Sequence, residues 1–538
     1  MLSREEKKQY RSQLFCHLDG LVVPAVAYSL KESGLLDVLI QQERMQLSEL
    51  SERYAANEGY LNVALRVLAA QGWLNYEVDS VRDEVSVATN EKSALAFGQF
   101  GLYKDVVHLL QFSGNFHRRK FEIEPFRVLE QIYQKYGNRY GLDFSEDSEL
   151  VHIQKQILQH IEGFLVGPTV VLLGMGGMFH KYFMEASFQP SEYHKDPESF
   201  AKILDFLSAL GWFNKNRTTY QFTDKGLFFA KRSSAYGVTV SYLPTFRRMK
   251  DLLFGDPSVL WTKDAQGAEL HVDRAMNVWG SGGAHSAYFK KIDDIIIDVF
   301  NQPLDLQPRG ILDMGCGNGA FLIHLFDVIE QRTLRGEHLE EYPLFLVGVD
   351  YNDAALKITR ANLIQADIWA KVIWGDIGDP ERLAHDLKTD YDIELKELLN
   401  VRTFLDHNRI WSSPQNTDSL PNSDSTGAFA YRGKRLNNSE VAQNLREHLN
   451  KWLPYVAQFG LLLIELHTIA PSLTAENIGR TAATAYDATH GFSDQYILEL
   501  PQLLQIAEEV GLHSEEKYFS KFPNSDLATV SINYFRGA

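Results

Sequence analysis

The sequence predicts an α/β chain in two parts. Residues 1–265 read as a helix-rich half built on a repeated unit, and residues 266–538 as a Rossmann-like core around a mostly parallel sheet. Three observations predict this. A helix-Gly-Trp segment occurs twice, beginning at residues 61 and 200. A glycine turn joins a strand to a helix at residues 310–322. Three successive apolar strands each end in an aspartate, at Asp313, Asp350 and Asp376.

Bulk properties bound the reading. A chain of 538 residues exceeds one hydrophobic core, so two to four domains are expected. Its 53 basic and 70 acidic side chains give a net charge of −17, which opposes phosphate backbones and disfavours nucleic-acid binding. Two cysteines, Cys16 and Cys316, fit a reducing compartment. The opening "MLSREEKKQYRSQ" lacks a signal core, and "GPTVVLLGMGGMF" (167–179) is too short and glycine-rich to span a bilayer. The expectation is a cytoplasmic protein with no membrane partner.

The first repeat reads "LNVALRVLAAQGWLN" (61–75) and the second "FAKILDFLSALGWFN" (200–214). Apolar residues recur at helical spacing, and Gly72 and Gly211 end the helices. Each copy runs on into a hairpin-like stretch, 85–97 and 219–231, and each follows an apolar helix, 26–39 and 170–183. This is the outline of a winged helix, with units at about 20–100 and 165–240. DNA recognition would need a Lys/Arg-rich second helix, and neither copy has one. The units therefore read as a platform that dimerises or covers a neighbouring site. Between them, "FHRRKFEIEPF" (116–126) reads as packed helix with a solvated face.

In "GILDMGCGNGAFL" (310–322) the glycines Gly315, Gly317 and Gly319 permit positive φ and close approach of a ligand. Dinucleotide turns space the third glycine differently. Asp313 is also a poor neighbour for pyrophosphate and a good one for a cationic amino acid. The pattern resembles motif I of class I S-adenosylmethionine (SAM) methyltransferases. Asp350, ending "LFLVGVD" (344–350), is then placed for the ribose hydroxyls, and Asp376-Ile377 resembles the adenine-edge motif. Before the core, "HVDRAMNVWGSGGAHSAYF" (271–289) offers Arg274, Asn277, Gly280, Ser281 and His285. It reads either as a helix closing over the donor's methionine end or as a linker and cap.

Acceptor chemistry is expected at the carboxyl ends of the strands. "LLNVRTFLDHNR" (398–409) presents Asp406 and His407 there, and "LLLIELHTIAP" (461–471) presents Glu465 and His467. "TAYDATHGFSDQY" (484–496) follows, with Tyr486, Asp487, His490, Asp494 and Gln495. A lone histidine at a strand end is more often structural than catalytic, but three at neighbouring loop positions, His407, His467 and His490, leave both readings open. On a regular helix His490 and Gln495 would diverge, so they converge only if the chain turns at Gly491.

The runs "RTFLDHNR", "IELHT", "TAYDATHGFSDQYI" and "NVWGSGGAHSAYF" resemble metal-dependent C-methyltransferase domains of GNAT-type polyketide loading modules, as in apratoxin and saxitoxin assembly. The resemblance covers most of the chain. It implies a class I SAM methyltransferase core under a helix-rich N-terminal lid of two winged-helix-like repeats. It also implies methylation of the α-carbon of a malonyl or methylmalonyl thioester on an acyl carrier protein. His490 and Gln495 would be ligands of a divalent metal, iron(II) or manganese, with His467 a weaker candidate. Asp406, His407, His467 and Tyr486 would handle protons or support the ligands, the general base being unassigned. An adjacent GNAT-like domain in a longer polypeptide is expected, since the chain stops at "SINYFRGA" (531–538). Two alternatives stand beside this one: a metal-independent small-molecule O-methyltransferase with a histidine base, and a non-catalytic SAM-binding scaffold.

Overall fold

The computed structural model describes residues 2–115, 123–184, 187–416 and 420–537. Most of "FHRRKFEIEPF" lies outside the described residues, so its expected helix is seen only from Ile123 onward.

Two long helices form the axis of the N-terminal half, α1 (Arg4–Glu32) and α3 (Glu149–Met175). Between them in sequence, α2 (Glu58–Ala70) leads into a hairpin of Asn75–Asp79 and Glu84–Ala88. A third short strand, Arg44–Gln46, pairs with that hairpin and completes the first wing. The second copy repeats the plan with α4 (Pro197–Ala209) and a two-stranded hairpin, Phe213–Asn216 with Thr219–Phe222. Gly72 and Gly211 both take positive φ, near 80°, and Trp73 and Trp212 behind them are fully buried. The duplication is thus a duplication of backbone conformation.

A further repeat lies in the long helices, as "HLDG" (17–20) and "HIEG" (160–163). The two motifs meet where α1 crosses α3. Gly20 packs on the His160 backbone and Gly163 on the His17 backbone, contacts that no side chain larger than hydrogen would permit. His17 pairs with Glu162 at 3.0 Å and with the Tyr236 hydroxyl at 2.8 Å, while His160 pairs with the Tyr103 hydroxyl at 2.7 Å. Each helix is therefore anchored by the other copy's surroundings. The apolar run 167–179 covers the end of α3 and the turn after it, and only together with the residues before it is the 27-residue helix long and apolar enough to cross a bilayer. Helix α1 is long and apolar enough too, and the apolar windows of both helices are mostly buried in the protein. Their hydropathy serves the lid core.

The core sheet has eight strands: β1 (Gly310–Met314), β2 (Phe345–Asp350), β3 (Lys371–Trp374), β4 (Leu398–Thr403), β5 (Leu461–Leu466), β6 (Leu512–Ser514), β7 (Ser520–Phe522) and β8 (Val530–Gly537). Their order is β6-β8-β5-β4-β1-β2-β3, with β8 antiparallel to β5 and the five strands from β5 to the β3 edge parallel. Seven positions hold eight strands, because β6 and β7 share the outer edge of β8. The order reverses between β1 and β4, which is where a ligand crevice opens in such sheets. Apolar clusters cover both faces of the sheet.

Two linking elements matter for the site. Helices α5 (Ser234–Ser241) and α6 (Arg274–Phe289) cross closely before α7 (Ala320–Arg332) begins at the glycine turn. After β5, α9 (Ala483–Gly491) follows α8 (Asn438–Val456) in chain order. The apolar face of α9 (Ala485, Ala488 and the following Phe492) joins the lid's core rather than the sheet's.

Candidate active site

The donor side is built on the turn between β1 and α7. Gly315, Gly317 and Gly319 all lie in the left-handed region, with φ of 79°, 56° and 77°. The N–H groups of Gly315 and Cys316 donate to the Val349 carbonyl, which ties the turn to β2. Asp350 accepts from Gly317 N–H at 3.0 Å and from Asn352 N–H at 2.8 Å. Asp313 is buried beneath, and its Oδ2 has no hydrogen-bond partner. Burial first, and then the charge of Asp350, push its carboxyl up to about 8. An orphaned buried acid beside a second acid suits a cationic ligand, so these residues fit the aminoacyl sulfonium end of SAM. Tyr351 and Trp374, with ring centroids 5.5 Å apart, form an aromatic rim that sequence reasoning did not pick out. Asp376 accepts from Gly378 N–H at 2.8 Å, and the Ile377 carbonyl from Trp452 Nε1 at 2.8 Å.

The pre-core helix needs correction. Gly280 does not face the donor turn, for a β-carbon there would lie 2.6 Å from the Gly237 backbone, so it is the crossing point of α5 and α6. Ser281 returns its hydroxyl to the Val278 carbonyl of its own helix, and Asn277 donates to the Ser241 hydroxyl. Gly282 is the residue of the run that approaches the turn, opposite Asn318. Burial holds the Asp350 carboxyl above its ordinary value, and Arg274, itself held by Glu269 at 2.7 and 2.8 Å, lies close enough to oppose that rise only in part. The His285 side chain lies outside the described residues.

The acceptor side gathers at the ends of β4 and β5. Glu465 Oε1 accepts from His407 Nδ1 at 2.6 Å, and its Oε2 from the His407 backbone N–H at 3.2 Å. That engages His407 through Nδ1 and puts its lone pair on Nε2, and the His407 and His490 rings stand 5.0 Å apart at 73°. His490 Nδ1 donates to the Tyr486 carbonyl at 2.7 Å, which puts its lone pair on Nε2. Burial pushes its imidazole down to about 3, so it is neutral at pH 7. Gln495 spends its N–H groups on Tyr242 and Ser493, leaving Oε1 as its acceptor. The His407 carbonyl accepts from Tyr496 N–H at 2.7 Å, drawing the two loops together. Tyr486 is partly buried, and its phenol is held above its ordinary value by desolvation and then by Tyr288.

Three expectations change here. Asp406 turns away into the protein, where it accepts from Arg402 at 2.6 Å and His448 at 2.9 Å. It is a buried ion pair that holds the loop, not a proton-handling group. His467 donates to the Leu498 carbonyl at 3.2 Å and accepts from Ser531 at 2.7 Å, so neither nitrogen remains for metal or base duty. Gly491 is not a left-handed turn. It ends α9 in ordinary backbone, and a β-carbon there would meet Val63 of the lid at 2.8 Å.

Neutral nitrogen at His490 and oxygen at Gln495 fit a divalent cation by donor chemistry. Among the described residues no group of three or more His, Cys, Asp or Glu side chains is arranged to hold a metal.

Comparison with known families matches three successive stretches to one of them. The AprA N-terminal domain matches residues 10–76, the AprA winged helix domain 162–256 and the AprA MT2-like domain 269–533. The chain belongs to the AprA methyltransferase family. It is accordingly a SAM-dependent methyltransferase, with a class I core and a winged-helix-bearing lid. None of the curated proteins matches. Solved structures similar to this methyltransferase include an O-methyltransferase family protein from Burkholderia thailandensis, at 11% identity and TM-score 0.40, covering 73% of this chain and 100% of that one. Another is a putative O-methyltransferase from Nostoc punctiforme, at 12% identity and TM-score 0.42, covering 72% and 100%.

Proposed function

We propose that this methyltransferase transfers a methyl group from SAM to the α-carbon of a malonyl or methylmalonyl thioester on an acyl carrier protein. The observation that carries this reading is the neutral His490 imidazole, anchored through Nδ1 with Nε2 open, beside Gln495 and the Glu465-held His407. Carbon methylation requires loss of an α-proton, and nothing in that demand is met by the donor pocket itself. A divalent cation held by His490 and Gln495 would supply positive charge for the electron density that develops at the thioester.

The remaining work falls to the protein's own groups. His407 Nε2 is available to take a proton, and Glu465 stabilises the imidazolium that results. The lid packs on α9 and keeps water from a carbanionic centre, which water would quench. The fitting partners are a malonyl-bearing carrier protein and a GNAT-like domain in a longer polypeptide. The setting is the cytoplasm, consistent with two buried free cysteines.

A second reading has its own observation. A histidine oriented by a buried glutamate can deprotonate a small hydroxyl acceptor without a metal. Intact-mass analysis of malonyl carrier protein, incubated with SAM and iron or manganese, separates the two. The carbon reading expects mass gain that a chelator abolishes and the metal restores. Full activity after chelation, or transfer only to a hydroxyl acceptor, would establish the second.

A further inference from the structure

Helix α2 of the lid lies along the acceptor segment in antiparallel order. Tyr60 donates to Asp494 at 2.7 Å, Val63 abuts Gly491, and Arg66 Nε donates to Asp487 at 3.1 Å. Gln71, one residue past the helix, donates to Thr484 at 3.0 Å. Each step along α2 therefore meets an earlier residue of the segment that carries Tyr486 and His490.

Arg66 is the charged member of this row, and it is buried. Its Nη1 donates to the Thr426 carbonyl at 2.6 Å, and its Nη2 to the Thr468 hydroxyl at 2.8 Å and the Ile469 carbonyl at 2.6 Å. Thr468 in turn donates to Asp487 Oδ1 at 2.6 Å. One guanidinium thus joins three core segments: the irregular chain at Thr426, the chain leaving β5, and α9. A planar fork filled on each edge fixes orientation as well as charge. A cavity of about 10 Å³ is lined by Arg66, Thr468, Asp487 and Gln495 together, so the guanidinium and the Gln495 side chain border the same space.

We propose that Arg66 is a positioning residue of the acceptor site, fixing from the lid the rotation of α9 and hence the direction of Tyr486 and His490. It touches no reacting atom. The proposal rests on reading the His490 segment as the acceptor site, and it makes that site a joint product of lid and core. Docking of α2 is then a condition for an ordered acceptor pocket but not for the donor turn, which lies between β1 and α7.

The test uses Arg66→Met and Arg66→Lys in the full chain, with SAM and malonyl-loaded carrier protein as probes. Three quantities are read: kcat and KM for methyl transfer, the SAM Kd, and deuterium uptake by peptide. Arg66→Met is expected to lower kcat between roughly tenfold and a hundredfold while leaving the SAM Kd nearly unchanged. Its uptake should rise within residues 483–496 and stay as in the wild type through the lid. Arg66→Lys, which keeps charge without the fork, should recover only part of kcat. Because truncating a buried arginine can unfold the lid, Thr468→Val provides a milder break and should move the same readouts in the same direction. Wild-type uptake in 483–496, wild-type kcat, or uptake raised evenly through the lid overturns the proposal. If the wild-type protein methylates no malonyl carrier, the malonyl reading falls, and the uptake comparison still decides the role of Arg66.

Discussion

Val63 lies against Gly491 so closely that a β-carbon on the glycine would come within 2.8 Å of both valine methyls. The lid and the acceptor segment therefore fit by the absence of one side chain. Gly491→Val should overpack this contact and lower stability by about 1–3 kcal/mol, read as a fall in the urea midpoint. Gly491→Ala combined with Val63→Ala should recover most of what Gly491→Ala alone loses. Equal midpoints for the single and double variants would show that the loss comes from the backbone.

Removing the His490 imidazole should separate the two halves of the reaction. His490→Ala is expected to abolish metal retention and malonyl methylation while the SAM Kd stays near the wild-type value. Metal analysis of the purified protein and titration calorimetry with SAM check this. Wild-type metal content in the variant would remove His490 from the ligand set.

Asp350 organises the donor turn by accepting from Gly317 N–H, and it stands where ribose hydroxyls are expected. Asp350→Ala removes hydrogen bonds to a charged acceptor, about 1.5–3 kcal/mol, or roughly ten- to a hundredfold in SAM Kd. An unchanged Kd would place the ribose elsewhere.

SAM affinity should depend on pH through Asp313. Its carboxyl is raised to about 8 from an ordinary 3.8, so between those values the folded, ligand-free protein holds a proton that the unfolded chain has lost. That group's stabilisation is present at low pH and disappears as pH rises through about 8. Cationic SAM favours the ionised carboxylate, so binding at pH 7 should release a proton. Affinity should rise with pH by up to about tenfold per unit and level off above 8. Calorimetry in buffers of different ionisation heat measures the proton, and Asp313→Asn should release none.

His467 carries the opposite expectation from His490. Both of its nitrogens are engaged, so His467→Ala leaves the Ser531 hydroxyl without its acceptor in the sheet and should lower stability by about 1–3 kcal/mol. Once folded, the variant should keep methyl-transfer kcat within a fewfold of wild type. Complete loss of turnover in a folded protein would restore a catalytic role.

What could be read from the sequence was what is local. The glycine turn and the strand-ending Asp350 depend on residues within one or two turns of each other and form where their patterns stand. Asp376, by contrast, falls two residues past its strand. The hairpins form at 75–88 and 213–222, so that 85–97 and 219–231 hold only the second strand and a following helix. Gly280 and Gly491 look like loop glycines in a string of letters. Their reasons lie in Gly237 and Val63, which no spacing rule connects to them. Asp406 and His467 sit at strand ends as catalytic groups do, but which way a strand-end side chain turns depends on partners such as Arg402 and Ser531. Arg66 appeared only as one charge in an amphipathic helix. The one missed signal that the sequence did carry is "HLDG" against "HIEG", a four-residue match whose meaning appears only when the helices cross.

That crossing has a consequence for how the chain comes to be. His17 finds Glu162 and Tyr236, and His160 finds Tyr103, so each copy of the repeat is completed by residues from the other. Neither copy is then a folding unit. As the chain leaves the ribosome, the apolar flank of α1 waits without its cover until α3 has been synthesised well over a hundred residues later. Such long-range closure is slow and leaves greasy surface open to other proteins in the meantime. The lid is a clasp whose two halves can only be shut together, and its maturation is the step at which a chaperone would be needed most.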